Sequence, residues 1–257
     1  MLITQAYFSP GGTTRAITEY FTSRLLPGGR INSVDLLRAR GETDLNLGPE
    51  DLLVINLPVF AGRLPQINTP AAAGFKGADT PAVAMVTYGN REYEDALLEL
   101  CDILNAGGFK VIAAGAFVAR HSIFPQLAAG RPDAADKQKI AGFAALCADK
   151  LAKGGEALLL NMPIKGNRPY CEIQPSPLKP AGDEACTSCG LCAALCPMRA
   201  IDPAAPTQTI AERCIACAAC IYNCPQGSRA FRGEAFAERA AMFTAKFSAR
   251  QEPEIFI

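Results

Sequence analysis

Read from its start, the chain alternates short, almost continuously apolar runs with longer stretches whose apolar positions recur at helical spacing. Leu2 to Tyr7 is the first such run, stopped by Ser9-Pro10-Gly11-Gly12. Thr13 to Leu26 follows, with Ala16, Ile17, Tyr20, Phe21 and Leu25 at helical intervals, and Pro27-Gly28-Gly29 closes it. Asn32 to Leu37 reads as a second strand, Asp51 to Leu57 as a stronger third, Pro81 to Thr87 as a fourth and Val111 to Val118 as a fifth. Glu92 to Asn105 is expected to be a helix closed by Gly107-Gly108, and Asp133 to Lys153 another closed by Gly154-Gly155. Unbroken apolar strands suit a parallel sheet covered on both faces. Residues 1–160 are therefore read as an open α/β sandwich of five parallel strands with helices on both sides.

The pattern then breaks. Pro163, Pro169, Pro175, Pro177 and Pro180 make residues 161–182 a stiff, extended linker. Residues 183–230 carry a cysteine repeat, and 231–257 hold a helix and a tail. Within that helix, at 234–249, Phe236, Ala240, Phe243 and Phe247 form one stripe, read as packing against a neighbouring domain. Glu254-Ile255-Phe256-Ile257 is an apolar end expected to dock.

Composition narrows the class. A chain of 257 residues suggests two modules. Twenty-five basic residues balance twenty-five acidic ones, and the pI is near 6.6. That balance argues against a nucleic-acid partner, whose phosphates call for a basic excess. With 49% hydrophobic and 19% charged residues, the chain is not a disordered one. No apolar run approaches the roughly 20 residues that a membrane-spanning helix needs. Met1 to Gln5 lacks the basic start of a secretory signal. The expectation is a soluble, cytoplasmic protein without membrane insertion; the oligomeric state is left open.

Eleven cysteines decide the chemistry. Cys101, Cys147 and Cys171 are scattered and read as structural thiols, while the other eight crowd into 186–224. The first run places Cys186, Cys189, Cys192 and Cys196 before Pro197, and the second places Cys214, Cys217, Cys220 and Cys224 before Pro225. Both follow C-x2-C-x2-C-x3-C-P, the bacterial ferredoxin spacing. Zinc ribbons use pairs rather than two complete quartets each ended by proline.

The region resembles the two-cluster bacterial ferredoxins, with all eight ligand positions filled. The resemblance implies an α+β domain with two [4Fe–4S] clusters and crossed ligation. Cys186, Cys189, Cys192 and Cys224 would hold one cluster; Cys214, Cys217, Cys220 and Cys196 would hold the other.

In an open parallel sheet, ligands sit beyond the carboxyl ends of the strands. Three loops there carry useful chemistry. Ser9, Gly11, Gly12, Thr13, Thr14 and Arg15 surround the start of the first helix, where hydroxyls and free N–H groups form a phosphate cradle. This loop is similar to the flavodoxin phosphate loop at Ser9, Gly12 and Thr14, whereas Gly11 replaces the central hydroxyl residue. Pro58, Val59, Phe60, Ala61 and Gly62 follow the third strand; Thr87, Tyr88, Gly89, Asn90 and Tyr93 follow the fourth. In flavodoxins these positions flank the isoalloxazine ring, so the resemblance implies FMN stacked between Phe60 and Tyr93. The chain has no Trp. FMN rather than FAD is expected, because no dinucleotide fingerprint with a ribose-binding acid is evident.

As a whole the chain looks like fusions of a flavodoxin-like domain with a two-cluster ferredoxin domain, many of them found in anaerobes. It departs from flavodoxins in charge: residues 1–160 hold 16 acids and 15 bases, where flavodoxins are strongly acidic. The expected function is electron transfer between two [4Fe–4S] clusters, FMN and a redox partner protein. Two alternatives stay open: a flavin-dependent reductase of a small molecule, fed through the clusters, and a ferredoxin carrying a flavin-free docking domain. No general acid–base pair singles itself out, so no catalytic residue is assigned. His121, the sole histidine, sits on the same rim and reads as a hydrogen-bonded loop residue.

Overall fold

The protein is described here by a computed structural model that covers residues 2–40 and 43–257. Strands β1 (Ile3–Tyr7), β2 (Ile31–Asp35), β3 (Asn46–Leu47), β4 (Leu52–Pro58), β5 (Lys76–Gly77), β6 (Thr80–Tyr88), β7 (Phe109–Val118) and β8 (Glu254–Phe256) alternate with helices. The main sheet runs β2-β1-β4-β6-β7-β8, and its first five strands are parallel. Counted alone, those five have the order 2-1-3-4-5, the flavodoxin-like doubly wound arrangement. Strands β3 and β5 form a separate short pair.

Helix α1 (Thr13–Leu25) buries Ile17, Phe21 and Leu25 against one face of the sheet. Helix α5 (Ala134–Lys153) joins it there through Ile140, Phe143 and Ala144. The other face takes Leu36 and Leu37 of α2 (Leu36–Ala39), Ala71 and Ala72 of α3 (Asn68–Gly74), and Leu97, Leu100 and Leu104 of α4 (Ala96–Ala106). The central strands are apolar on both sides because both sides are covered: Leu52 to Leu57 are fully buried.

The boundaries differ from the sequence reading where side chains compete for backbone groups. The second strand stops at Asp35, whose carboxylate accepts from the Leu37 N–H at 3.0 Å and starts α2. The helix expected from Glu92 begins at Ala96. Asp95, at its N-cap, caps no helix N–H; it instead accepts from the linker N–H groups of Asn167 at 2.8 Å and Cys171 at 2.6 Å. Those bonds hold the Asp95 carboxyl below the usual range, although burial alone would raise it. Helix α3 is absent from the sequence reading, because Pro70 and a run of alanines give little periodic signal.

The largest correction is at the sheet edge. The sheet is mixed rather than a purely parallel set of five, since β8 pairs antiparallel with β7, Gly115 opposite Ile255. The tail thereby covers an edge that would otherwise expose unpaired N–H and C=O groups. Between these parts lies the cysteine region, with two short helices, α6 (Leu191–Leu195) and α7 (Ala219–Tyr222), and a bridge between Ala181 and Ala230. Helix α8 (Glu234–Lys246) follows, and its Phe243 packs on His121 and Phe124, in the segment after β7.

Candidate functional site

The carboxyl ends of the parallel strands open into a cavity of about 1100 Å³. Gly11, Thr13 and Thr14 line one part of it, and the loops after β4 and β6 another. The remaining wall comes from segments far along the chain: the linker from Cys171 to Lys179, the cysteine loop from Ala211 to Cys217, Tyr222, and α8.

The first loop is shaped as a cradle. Gly12 has φ +84°, and its carbonyl accepts the first helical bond from Ala16 at 3.0 Å. The Ser9 hydroxyl accepts from the Arg15 N–H at 2.9 Å, so Ser9 braces the turn without lining the cavity. Among the described residues, no group accepts from the N–H of Gly11, Thr13 or Thr14. Three donors without an acceptor thus belong to cavity-lining residues at the start of a 13-residue helix, where the macrodipole also favours an anion. Arg15 does not join them: its guanidinium pairs with Glu19 at 2.7 Å on the exposed side.

Gly11 has a local cause. A Cβ there would lie 3.2 Å from Cδ2 of Tyr222. The Tyr222 hydroxyl donates to the Ser122 carbonyl at 3.0 Å, and Asn223 donates to the Pro10 carbonyl at 3.1 Å. The cysteine region therefore sits directly on the loop after β1, and a larger residue at 11 would hold it off.

Pro58, Val59, Phe60 and Ala61 line the cavity, as do Thr87, Tyr88 and Gly89. Phe60 is half-buried, with its ring edge-on to Phe8 at 6.4 Å. Tyr93 is not a second stacking ring. It is fully buried, its hydroxyl donates to Glu254 at 2.7 Å, and its ring packs edge-on to Tyr88 at 5.5 Å. Burial, then the Glu254 carboxylate, raises its pKa. Asn90 is also withdrawn: its amide donates to the carbonyls of Phe247 and Ala249, and its oxygen accepts from the Gln251 N–H. Gly62 lies outside the lining, pressed against the Glu94 side chain. Residues 89–93 thus bind the C-terminal tail as much as they shape the cavity.

His121 lines the wall next to Gly89, where a Cβ would come within 2.5 Å of the ring. Its Nδ1 accepts from the N–H groups of Ile123 and Phe124 at 3.1 and 3.2 Å, so the neutral ring carries its proton on Nε2. Phe124 and Phe243 flank it, and burial pushes its pKa down to about 4. Phe243 also meets Phe124 at 4.8 Å, while Phe236 stacks on Phe124 and Phe231. The phenylalanine stripe of α8 therefore spans both halves of the molecule. Cys171 lies on the cavity wall; Cys101 and Cys147 are buried, and burial lifts each thiol to about 12.

The eight clustered cysteines enclose two smaller cavities. One is lined by Cys186, Cys189, Cys192 and Cys224, the other by Cys196, Cys214, Cys217 and Cys220. Each set takes three cysteines from one run and the last from the other. The backbone repeats with the spacing: Ser188 and Gly190 in the first run, and Ala216 and Ala218 in the second, all have positive φ. Non-glycine residues adopt this conformation at a cost, and here it curls each loop around its cavity. Cys196, Cys217 and Cys220 are buried, whereas Cys189 is exposed. Burial pushes the Cys217 thiol up to about 12 and raises Cys214 and Cys220. Cys224 goes the other way: burial would raise it, but the N–H groups of residues 226–229 crowd the sulfur and lower it. Cys214 and Cys217 also line the large cavity.

Sequence reasoning missed Tyr222, Arg120, Arg213 and the α8 residues Arg239 and Lys246 as cavity-lining groups. Only the Gly11 departure hinted at a close neighbour.

Residues 185–228 match the family described as the 4Fe-4S dicluster domain. No curated protein matches the chain. Solved structures similar to the α/β part include a flavodoxin from the domain Archaea, 13% identical, covering 59% of this chain and 99% of its own, with a TM-score of 0.41. A flavodoxin of Streptococcus pneumoniae TIGR4 is 15% identical over 58% of this chain and 99% of its own, with a TM-score of 0.42. An NADH:FMN oxidoreductase in its apo form is 13% identical over 63% and 96%, with a TM-score of 0.45. The strand order itself, not these likenesses, defines the fold as flavodoxin-like.

Proposed function

We propose that the protein transfers electrons between FMN, held at the carboxyl edge of the sheet, and two [4Fe–4S] clusters, and exchanges them with a redox partner protein. One observation carries this reading: Cys214 and Cys217 line both the large cavity and the cavity that they form with Cys196 and Cys220. The flavin site and one cluster site thus share a wall, so electrons need cross no third body.

The residues suit FMN. The free N–H groups of Gly11, Thr13 and Thr14 would hold its phosphate, with the Thr14 side chain alongside. Val59, Phe60 and Ala61 on one side, and Thr87 to Gly89 on the other, would flank the ring system. Arg120 and His121 would bound its outer edge. Bound FMN would supply exchange of one or two electrons, whereas each cluster would exchange one. The quartet of Cys196, Cys214, Cys217 and Cys220 is the inner relay, because its thiols are the more buried and two of them, Cys214 and Cys217, border the flavin cavity. The quartet of Cys186, Cys189, Cys192 and Cys224 is the outer port, with Cys189 exposed for a partner to approach. Anaerobic purification followed by flavin, iron and sulfide analysis tests the assignment. Absence of flavin with full iron would leave only the ferredoxin part standing.

A second reading, a reductase acting on a small molecule, is favoured by the size of the cavity. At about 1100 Å³ it reaches the top of the usual ligand-pocket range of roughly 300–1,000 Å³. Arg239 and Lys246 line it from α8, remote in sequence from the phosphate loop. Such a wall suits an anionic acceptor, and steady-state turnover with candidate acceptors separates the two readings. Among the described residues, no helix is long and apolar enough to cross a membrane.

A further inference from the structure

The two cysteine runs diverge after their last ligand. Counting five residues on from Cys196 reaches Ile201; counting five on from Cys224 reaches Arg229. Both side chains are buried, at 5% and 2% exposure. By position after the last cysteine alone, a buried guanidinium thus stands where the first run has a buried isoleucine.

Its surroundings lack a counter-charge. One terminal nitrogen of Arg229 donates to the Pro206 carbonyl, and the other to the Pro180 carbonyl at 2.8 Å and to the Thr209 hydroxyl. These acceptors are neutral, and among the described residues no carboxylate pairs with it. Among the described residues, the Nε–H has no N or O acceptor. Arginine stays protonated under all ordinary conditions. A buried, uncompensated cation is strongly unfavourable unless an anion lies beside it. Arg229 lines the cavity of Cys186, Cys189, Cys192 and Cys224, and it also faces Cys220 of the other quartet.

Resting on the iron–sulfur reading above, we propose that Arg229 is the shared counter-charge of both cluster sites. Its fixed position between them, with Nε–H left free for a sulfur ligand, makes it a positioning and potential-setting residue. A cluster gains negative charge on reduction, so a buried cation favours the reduced form and raises the midpoint potential of each site. Hydrogen bonds to cluster sulfurs act in the same direction.

The test is a potentiometric titration followed by electron paramagnetic resonance on the anaerobically purified full chain. Arg229→Ile replaces the charge with an apolar side chain. Should it fail to load iron, Arg229→Gln, which keeps donors for the Pro180 and Pro206 carbonyls, carries the same measurement. In an iron-replete neutral variant, both clusters are expected to become about tenfold harder to reduce, a shift of about 59 mV for a one-electron couple. Arg229→Lys, which retains the charge, is expected to recover most of that shift. Wild-type midpoints in an iron-replete neutral variant would overturn the proposal, as would a shift confined to one cluster. Wild-type protein without iron and sulfide would instead overturn the cluster reading, before any variant is made.

Discussion

Gly11 and Tyr222, 211 positions apart in the chain, meet so closely that a Cβ on the glycine would lie 3.2 Å from the tyrosine ring. The contact joins the loop after β1 to the last residue of α7, which lies between Cys220 and Cys224. The α/β half and the cysteine half are thus docked beside the large cavity, whose wall both of them line. Gly11→Ser restores a hydroxyl to the loop but must displace the ring. It is expected to lower stability by about 1–3 kcal/mol, the usual cost of overpacking. Tyr222→Ala in the same chain should recover much of that loss, and chemical denaturation of the four members of the cycle measures the coupling.

Thr14 and Arg15 are neighbours with different roles. Thr14→Val removes the hydroxyl beside the proposed phosphate site and is expected to weaken FMN binding about tenfold, within the range for a hydrogen bond to a charged group. Arg15→Ala breaks only an exposed pair with Glu19 and should leave flavin affinity within about twofold. Fluorescence titration of apoprotein with FMN reads both, and equal losses would mean that Arg15 reaches the phosphate after all.

Cys196 belongs to the first run by sequence but lines the cavity of the second. Cys196→Ser should disturb the cluster of Cys214, Cys217 and Cys220 and leave intact that of Cys186, Cys189, Cys192 and Cys224. Iron is expected to fall from about eight toward about four per chain. Paramagnetic resonance identifies the survivor, and loss of the other signal would contradict crossed ligation.

His121 makes acid stability predictable. Its folded pKa, about 4, lies below the ordinary value of 6.5. Between those values the unfolded chain binds more protons than the folded one, so stability rises with pH across this window. The neutral ring's full contribution is present above about pH 6.5 and is lost progressively as the pH falls to about 4. The loss amounts to at most about 3 kcal/mol. His121→Asn should flatten the difference in unfolding free energy between pH 7 and pH 4.5 by a comparable amount; parallel curves would show that His121 does not titrate in this range.

Under the proposed function, the shared wall of Cys214 and Cys217 predicts transfer within one molecule. The linker is pinned rather than free: Asn167 and Cys171 bond to Asp95, and Arg168 pairs with Asp102. Flavin reduction through the clusters should therefore proceed at a rate independent of protein concentration. Rapid mixing over a wide dilution series checks this, and rates proportional to concentration would mean that cofactors meet between molecules.

How much of this was legible beforehand follows from the range of each signal. The five parallel strands, α1, α5 and the turn between β1 and α1 were readable because apolar runs and turn residues act within a few positions. The two cysteine runs were readable for the same reason, since their spacing is local and repeated. By themselves, residue order and type determined that the chain would build a covered parallel sheet and two thiol quartets. Tertiary structure decided the rest. Tyr93 and Asn90 carry the right chemistry for a flavin loop, yet Glu254 and the backbone from Phe247 to Gln251 claim them. Arg15 is drawn outward to Glu19, Asp95 is taken by the linker, and β8 completes the sheet. Most of these partners lie far along the chain, where no periodicity reaches. Whether a side chain faces a cavity or a neighbour depends on which distant segment buries it, and only the packed molecule sets that.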